Sequence, residues 1–179
     1  MIDLYVDEIN RLRVERDRFF FESPLSPFPS ELKKDLQKLP YFSVNENYRV
    51  KVTLETRGKP KETEVVNFEG QTQTVNRVGK ADFRTPGSEE AQSLEIYQDP
   101  TKDTFFTIFG DLTNTIGETY GAGRYVVLEK SSSGEWFMDF NKASSPYCSY
   151  SEKFPCPLVP KRNRLNVRIE AGEKYVGEH

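Results

Sequence analysis

Histidine is nearly absent from this sequence, and its scarcity excludes more chemistry than any other feature of the composition. One histidine occurs in 179 residues, His179 at the last position, where chains commonly fray. A Ser-His-Asp or Cys-His nucleophile, an H-E-x-x-H zinc helix and a two-His metal triad therefore lack their parts. A catalyst built from this chain must use carboxylates, Arg, Lys, Tyr or Cys. Cysteine is scarce too, with Cys148 and Cys156 alone; a zinc site would need two further ligands that the chain does not offer. Long hydrophobic runs are missing, since no stretch approaches the roughly 20 apolar residues of a membrane span. The opening MIDLYVDEINRLRVERD is charged throughout and lacks the apolar centre of a signal peptide. A soluble chain in the cytoplasm, away from membranes, is the expectation. Positive charge is not in excess either: 25 Lys and Arg against 28 Asp and Glu give a net charge of -3. Nucleic acid is not an expected partner.

Aromatic residues are what the chain has in quantity. Thirteen Phe and nine Tyr offset a hydrophobic fraction of 36%, and they suit a β core better than a leucine-rich bundle. A chain of this length buries roughly 70% of its unfolded surface and needs no metal or disulfide to fold. One domain over 1–179 is expected, with a helical and proline-rich segment, 1–47, packed on a β domain, 48–174.

The periodicity fills in this outline. Ile2, Val6, Ile9, Leu12, Arg16 and Phe19 recur at helical spacing, which predicts an amphipathic helix from Ile2 to about Phe21. Ser23-Pro24, Pro27 and Pro29 end it. Ser30 is placed to cap a short second helix from Glu31 to about Leu39, stopped by Pro40. From Tyr48 the period changes to two: Tyr48, Val50, Val52 and Leu54 alternate with polar residues. Gly58-Lys59-Pro60 reads as a turn into a strand from Thr63 to Phe68, and Glu69-Gly70 as a turn into one from Gln71 to Val78. Further strands are expected at Ala81–Phe83, Gln92–Tyr97, Thr104–Phe109, Arg124–Lys130, Glu135–Phe140 and Arg164–Glu170. Short connections imply antiparallel pairing, so the fold class is mainly β: a barrel or two-sheet sandwich of about eight strands.

Two long connections break this rhythm, Gly110–Tyr125 and Asn141–Asn163. Connections above about 12 residues in a compact domain are commonly functional or disordered, and the aromatic content of these favours function. They also carry dense motifs: G-E-T-Y-G-x-G-R-Y from Gly117, D-F-N-x-A-x-x-P-Y-C-x-Y from Asp139, C-P-x-x-P-x-x-N-x-L from Cys156 and I-x-A-G-E from Ile169. With R-x-x-R-D-x-F-F from Arg13, an S-P-L run and Tyr41-Phe42, they resemble the uncharacterised family called domain of unknown function 1684. The resemblance spans nearly the whole chain and is poorest from Val65 to Ser93. It implies positions of interest and no reaction.

Each candidate position has two readings. Gly121-Ala122-Gly123 lacks the spacing of a phosphate loop and fits a structural turn or a close approach to a ligand. Arg124 is suited to hold an anionic ligand, or to pair internally with Asp139 or Glu118. Asp139, among aromatic residues, must be paired or desolvated; it is either a general acid or base or half of a buried ion pair. Cys148 and Cys156 fit a disulfide or two separate buried thiols, and Cys148 also fits a nucleophile without an imidazole to activate it. Tyr120, Tyr125, Asn141, Tyr147, Tyr150 and Asn163 are candidate ligand contacts around Arg124, or loop ties. Glu170 and Glu173 are expected to be solvated. Catalytic candidates are thus Asp139, Glu118 and Cys148, with no metal and no cofactor. Three functional readings remain: a barrel holding a polar or anionic small molecule near Arg124, a histidine-independent hydrolase or isomerase, and a structural or interaction module, one form of which is a homodimer through the first helix.

Overall fold

The computed structural model describes residues 3–177; Ile2 and His179 lie outside them. Six strands run β1 (Arg49–Val66), β2 (Thr72–Phe83), β3 (Gln92–Asp99), β4 (Thr104–Phe109), β5 (Arg124–Lys130) and β6 (Trp136–Asp139). Each pairs antiparallel with the next, and β6 returns to pair with β1 through Arg49↔Asp139 and Val52↔Trp136, so the sheet closes on itself. The expected two-residue periodicity is real: Val50 and Val52 point inward with Val126, Leu128 and Met138. Side chains fill the interior of so small a barrel, and Ala81, Leu94, Ile96, Phe109, Met138 and Phe140 are all fully buried there.

Six strands replace the expected eight or so, because three of the nine candidate runs form no strand of their own. Gly58-Lys59-Pro60 does not reverse the chain. It lies inside β1, whose register on β2 jumps from Thr56↔Gly79 to Lys61↔Arg77, so residues 57–60 bulge opposite Val78. Pro60, with no N–H to donate, is tolerated in such a bulge. Ala81–Phe83 continues β2 rather than forming a separate strand. Arg164–Glu170 has the predicted alternation, with Leu165 and Ile169 buried, but it joins no ladder. Its backbone bonds go to loops and side chains: Leu165 N–H donates to Gly110 O at 2.8 Å and Ile169 N–H to Asp111 Oδ2 at 2.7 Å.

Helix α1 (Leu4–Glu22) starts where Asp3 accepts the amides of Tyr5 and Val6, and ends at Ser23 before Pro24. Ile9 and Phe20 are buried, while Leu4, Leu12 and Val14 are exposed. Helix α2 (Ser30–Asp35) is shorter than expected: Ser30 lies inside it, Pro29 occupies the cap position and Leu36 is already extended. A second, aromatic core joins these helices to the loop after β6, with Phe20, Phe28 and Tyr150 ring centroids 5.0 to 5.2 Å apart. Among the described residues, no helix is long and apolar enough to cross a membrane.

Beyond the bulge, the distal ends of β1 and β2 leave the barrel wall as an arm that folds over the outer face of β4 and β5. Val65 packs there on Ile108, Tyr125 and Val159, and Tyr125 Oη donates to Val66 O. The turn before β5 is fixed by Gly123, whose φ is +90° and whose missing Cβ leaves room for Phe109 O, 2.6 Å from where that atom would be. Replacing Gly123 with Ala combines a left-handed backbone with a main-chain clash. Urea unfolding of Gly123→Ala is expected to show a loss of about 1–3 kcal/mol.

Candidate functional site

Five of the residues nominated from sequence, Arg124, Asp139, Asn141, Tyr150 and Asn163, are buried and lie in four polar locks rather than one open site. In the first, Arg124 opens β5 and is fully buried. Its guanidinium donates to Ala171 O at 2.5 Å and Ile169 O at 3.0 Å, and meets Asp111 Oδ1 at 3.3 Å. Phe109 lies beneath it, with its centroid 5.2 Å from the guanidinium carbon. Burial acts to lower the Arg124 pKa from its ordinary value, and the Asp111 carboxylate works against that. Asp111 also accepts from Thr113 Oγ1 and caps the short helix α3 (Leu112–Thr115). The expected partners of Arg124 are engaged elsewhere. Glu118 meets Arg168 at 2.7 Å, and Asp139 belongs to the second lock.

There both Asp139 oxygens lie 2.9 Å from the Tyr5 hydroxyl of α1, and Asn141 donates through its backbone and side-chain nitrogens at 3.1 Å. Asn141 Nδ2 also donates to Asn45 O at 2.8 Å. Burial, reinforced by the Asp139 charge, pushes the Tyr5 hydroxyl well above its ordinary value, so it stays a donor. In the third lock, Glu173 is fully buried, contrary to the expectation that it is solvated. It accepts from Arg16 at 2.9 Å, from the Tyr150 hydroxyl and from Ser145 N–H at 3.3 Å. Burial raises its pKa, and the Arg16 charge opposes the rise. Glu170, by contrast, is exposed. In the fourth, Asn163 reaches into the sheet, donating to Ile108 O at 2.9 Å and Thr107 Oγ1 at 3.1 Å and accepting from Glu95 N–H at 2.8 Å.

Buried polar groups are costly unless satisfied, which explains why these residues share short motifs: each lock needs its acceptors and donors at fixed places along one loop. Arg124, Asn141, Tyr150 and Asn163 accordingly spend their hydrogen bonds on their own chain. The two cysteines are both free, Cys148 buried and Cys156 exposed, so neither a disulfide nor a pair of buried thiols is present. The Tyr120 hydroxyl lies 3.4 Å from Cys156 Sγ. Burial, with Cys156 as hydrogen-bonding neighbour, pushes the Cys148 thiol up to about 12, the opposite of what a nucleophile needs.

Open space lies instead on the outer face. A groove of about 550 Å³ runs between the arm tip, at Asn67 to Gln73, and the β3–β4 turn, at Asp99 to Thr104. Phe106, Tyr125 and Val127 line its floor, and Arg16, Lys142 and Ser144 its back wall. Tyr125 is the one nominated residue in this lining. Tyr147 supports it from behind, its ring stacked edge-on against Phe68, which also lines the groove. Phe68, Phe106 and Val127 were not nominated. The signal for Val127 was the run Tyr125-Val126-Val127-Leu128, which leaves apolar side chains on both faces of β5, the outer as well as the inner.

Fold and locks define a small closed antiparallel barrel whose loops and N-terminal helix are tied down by buried ionic and polar contacts. Residues 34–174 match the family described as "Protein of unknown function (DUF1684)", and the chain belongs to it. The R-x-x-R-D-x-F-F segment precedes the matched region. The chain is also similar to an uncharacterised protein of Haloarcula marismortui solved by NMR, at 34% identity and a TM-score of 0.76, covering 98% of this chain and 96% of that one. No curated protein matches it.

Two outcomes test this account of the locks. Arg124→Ala strands Asp111 and the carbonyls of Ile169 and Ala171 in the interior, and chemical denaturation is expected to register a loss of about 3–5 kcal/mol. A thiol reagent such as DTNB is expected to modify Cys156 promptly in the native protein and Cys148 only on unfolding; comparable native rates for both would contradict the assignment.

Proposed function

We propose that this protein is a small-molecule-binding barrel whose site is the outer groove floored by Phe106, Tyr125 and Val127. The observation that carries the reading is the groove itself. Its volume of about 550 Å³ falls within the roughly 300–1,000 Å³ of ligand pockets. Its floor is apolar while its rim is charged, with Val127 at 49% and Phe68 at 39% exposure. Leaving such surface wet is unfavourable, and an apolar molecule with one charged end would cover it. Lys102 stands on the rim, placed to meet an anionic end, whereas Lys142 is already paired with Glu129 at 2.6 Å. This keeps the expectation of an anionic ligand but moves it from Arg124 to the far side of β5. The acid–base alternative has weaker support, because Asp139 and Glu118 are each held by partners of their own.

The fluorophore 8-anilino-1-naphthalenesulfonate has an aromatic body and one sulfonate, and serves as a probe. Its fluorescence is expected to rise saturably with one site per chain and to be displaced by decanoate. Val127→Glu, at a half-exposed position, is expected to keep the melting temperature while weakening the probe at least tenfold. Unsaturable enhancement, or equal binding by the variant, sinks the proposal.

A further inference from the structure

Glu95 on β3 is the meeting point of three arginines that come from three different parts of the chain. Arg77 of β2 and Arg162 of the 3₁₀ turn Lys161–Asn163 each reach its Oε2 at 2.7 Å, and Arg57 of the β1 bulge stands 3.7 Å from the same atom. Among the described residues, Oε1 accepts only the Tyr97 hydroxyl, at 3.1 Å. The Glu95 side chain is 4% exposed, against 20% for Arg77, 49% for Arg57 and 58% for Arg162. Three guanidiniums against one carboxylate leave an excess of two positive charges (3 − 1 = 2) at one point.

Donors are in surplus as well as charge. A guanidinium carries five N–H groups, and one carboxylate oxygen cannot satisfy three of them. Arg57 is beyond hydrogen-bond distance of Glu95, and Arg77 Nε is buried without a partner among the described residues. Space adjoins this surplus on both sides. A cavity of about 350 Å³ includes Arg57, Lys80 and Ser93 in its lining, and one of about 300 Å³ includes Arg77, Tyr97 and Pro160; Glu95 and Arg162 border both. Of the other acids on these walls, Glu55 takes Lys80 at 3.3 Å and Glu64 borders only the second cavity. Apart from Thr72, nothing here lines the outer groove.

We propose that Arg57, Arg77 and Arg162 form a second binding site, for the terminal phosphate of a small phosphate monoester. A phosphate monoester carries close to two negative charges at neutral pH and three acceptor oxygens, which match the excess in charge and in donors. Guanidinium forks are suited to that geometry. The three arginines approach from the β1 bulge, β2 and the 3₁₀ turn, an arrangement that fits a tetrahedral group better than a planar carboxylate. The Asn163 lock fixes the turn that delivers Arg162, so the site is built before any ligand arrives. The two cavities leave room for the body of the ester on either side.

Phenyl phosphate titrated into ¹⁵N-labelled protein is expected to shift the Arg57, Arg77 and Arg162 side-chain signals saturably, with inorganic phosphate acting more weakly at the same signals. Arg57→Ala and Arg162→Ala, at half-exposed positions, are each expected to weaken binding about tenfold with little change in melting temperature. Glu95→Gln removes the competing carboxylate and is expected to tighten binding, a gain that a purely structural ion network would not produce. Binding is expected to weaken as pH falls below about 6, where the ester becomes a monoanion. Absence of saturable shifts at these arginines, or unchanged affinity in both alanine variants, overturns the site; citrate binding more tightly than phenyl phosphate overturns the phosphate assignment. Neither result bears on the groove, whose probe and variant are separate.

Discussion

A guanidinium with no access to water sets the terms for much of this fold. Arg124 cannot leave its position without uncovering Asp111 and the carbonyls of Ile169 and Ala171. Those carbonyls belong to a C-terminal segment that joins no ladder and makes only isolated bridges, at Arg164 and Glu173. The ion pair and its backbone acceptors supply what strand pairing would otherwise supply, and they tie the end of the chain across the barrel mouth. Burial makes such an arrangement all-or-none, since a partly satisfied buried charge is worse than none.

The N-terminal helix depends on the same device. It contributes Tyr5 to Asp139 and Arg16 to Glu173, and its aromatic end completes the second core. Helix, barrel and C-terminal segment therefore interlock through side chains whose sequence positions lie more than a hundred residues apart. The locks and packed side chains fill the inside, and the β1–β2 arm creates recesses on the outer surface that a plain barrel wall lacks.

Much of this was legible in sequence. Alternation at Val50 and Val52, the helical stripe through Ile9 and the proline stops located strands and helix, because local periodicity reports which face is buried. The dense motifs contain Arg124, Asp139, Asn141 and Asn163, all of which the fold buries. Their partners were not legible: Asp111, Tyr5 and the carbonyl of Ile169 are brought to them by closure of the barrel. Glu173 read as a solvated end residue because nothing local signals that Arg16 and Tyr150 fold over it. Glu95 was not singled out, because its arginines are scattered along the chain from Arg57 to Arg162.

By itself, then, the sequence determined the β class and the helical N-terminus, both properties of composition and near-neighbour spacing. Tertiary structure decided that Gly58-Lys59-Pro60 is a bulge and that Arg164–Glu170 is a strap. It also decided that the polar motifs are locks, and that open cavities lie on the outer face. Those outcomes depend on which distant groups meet, and a buried charge takes whatever partner the closed fold presents.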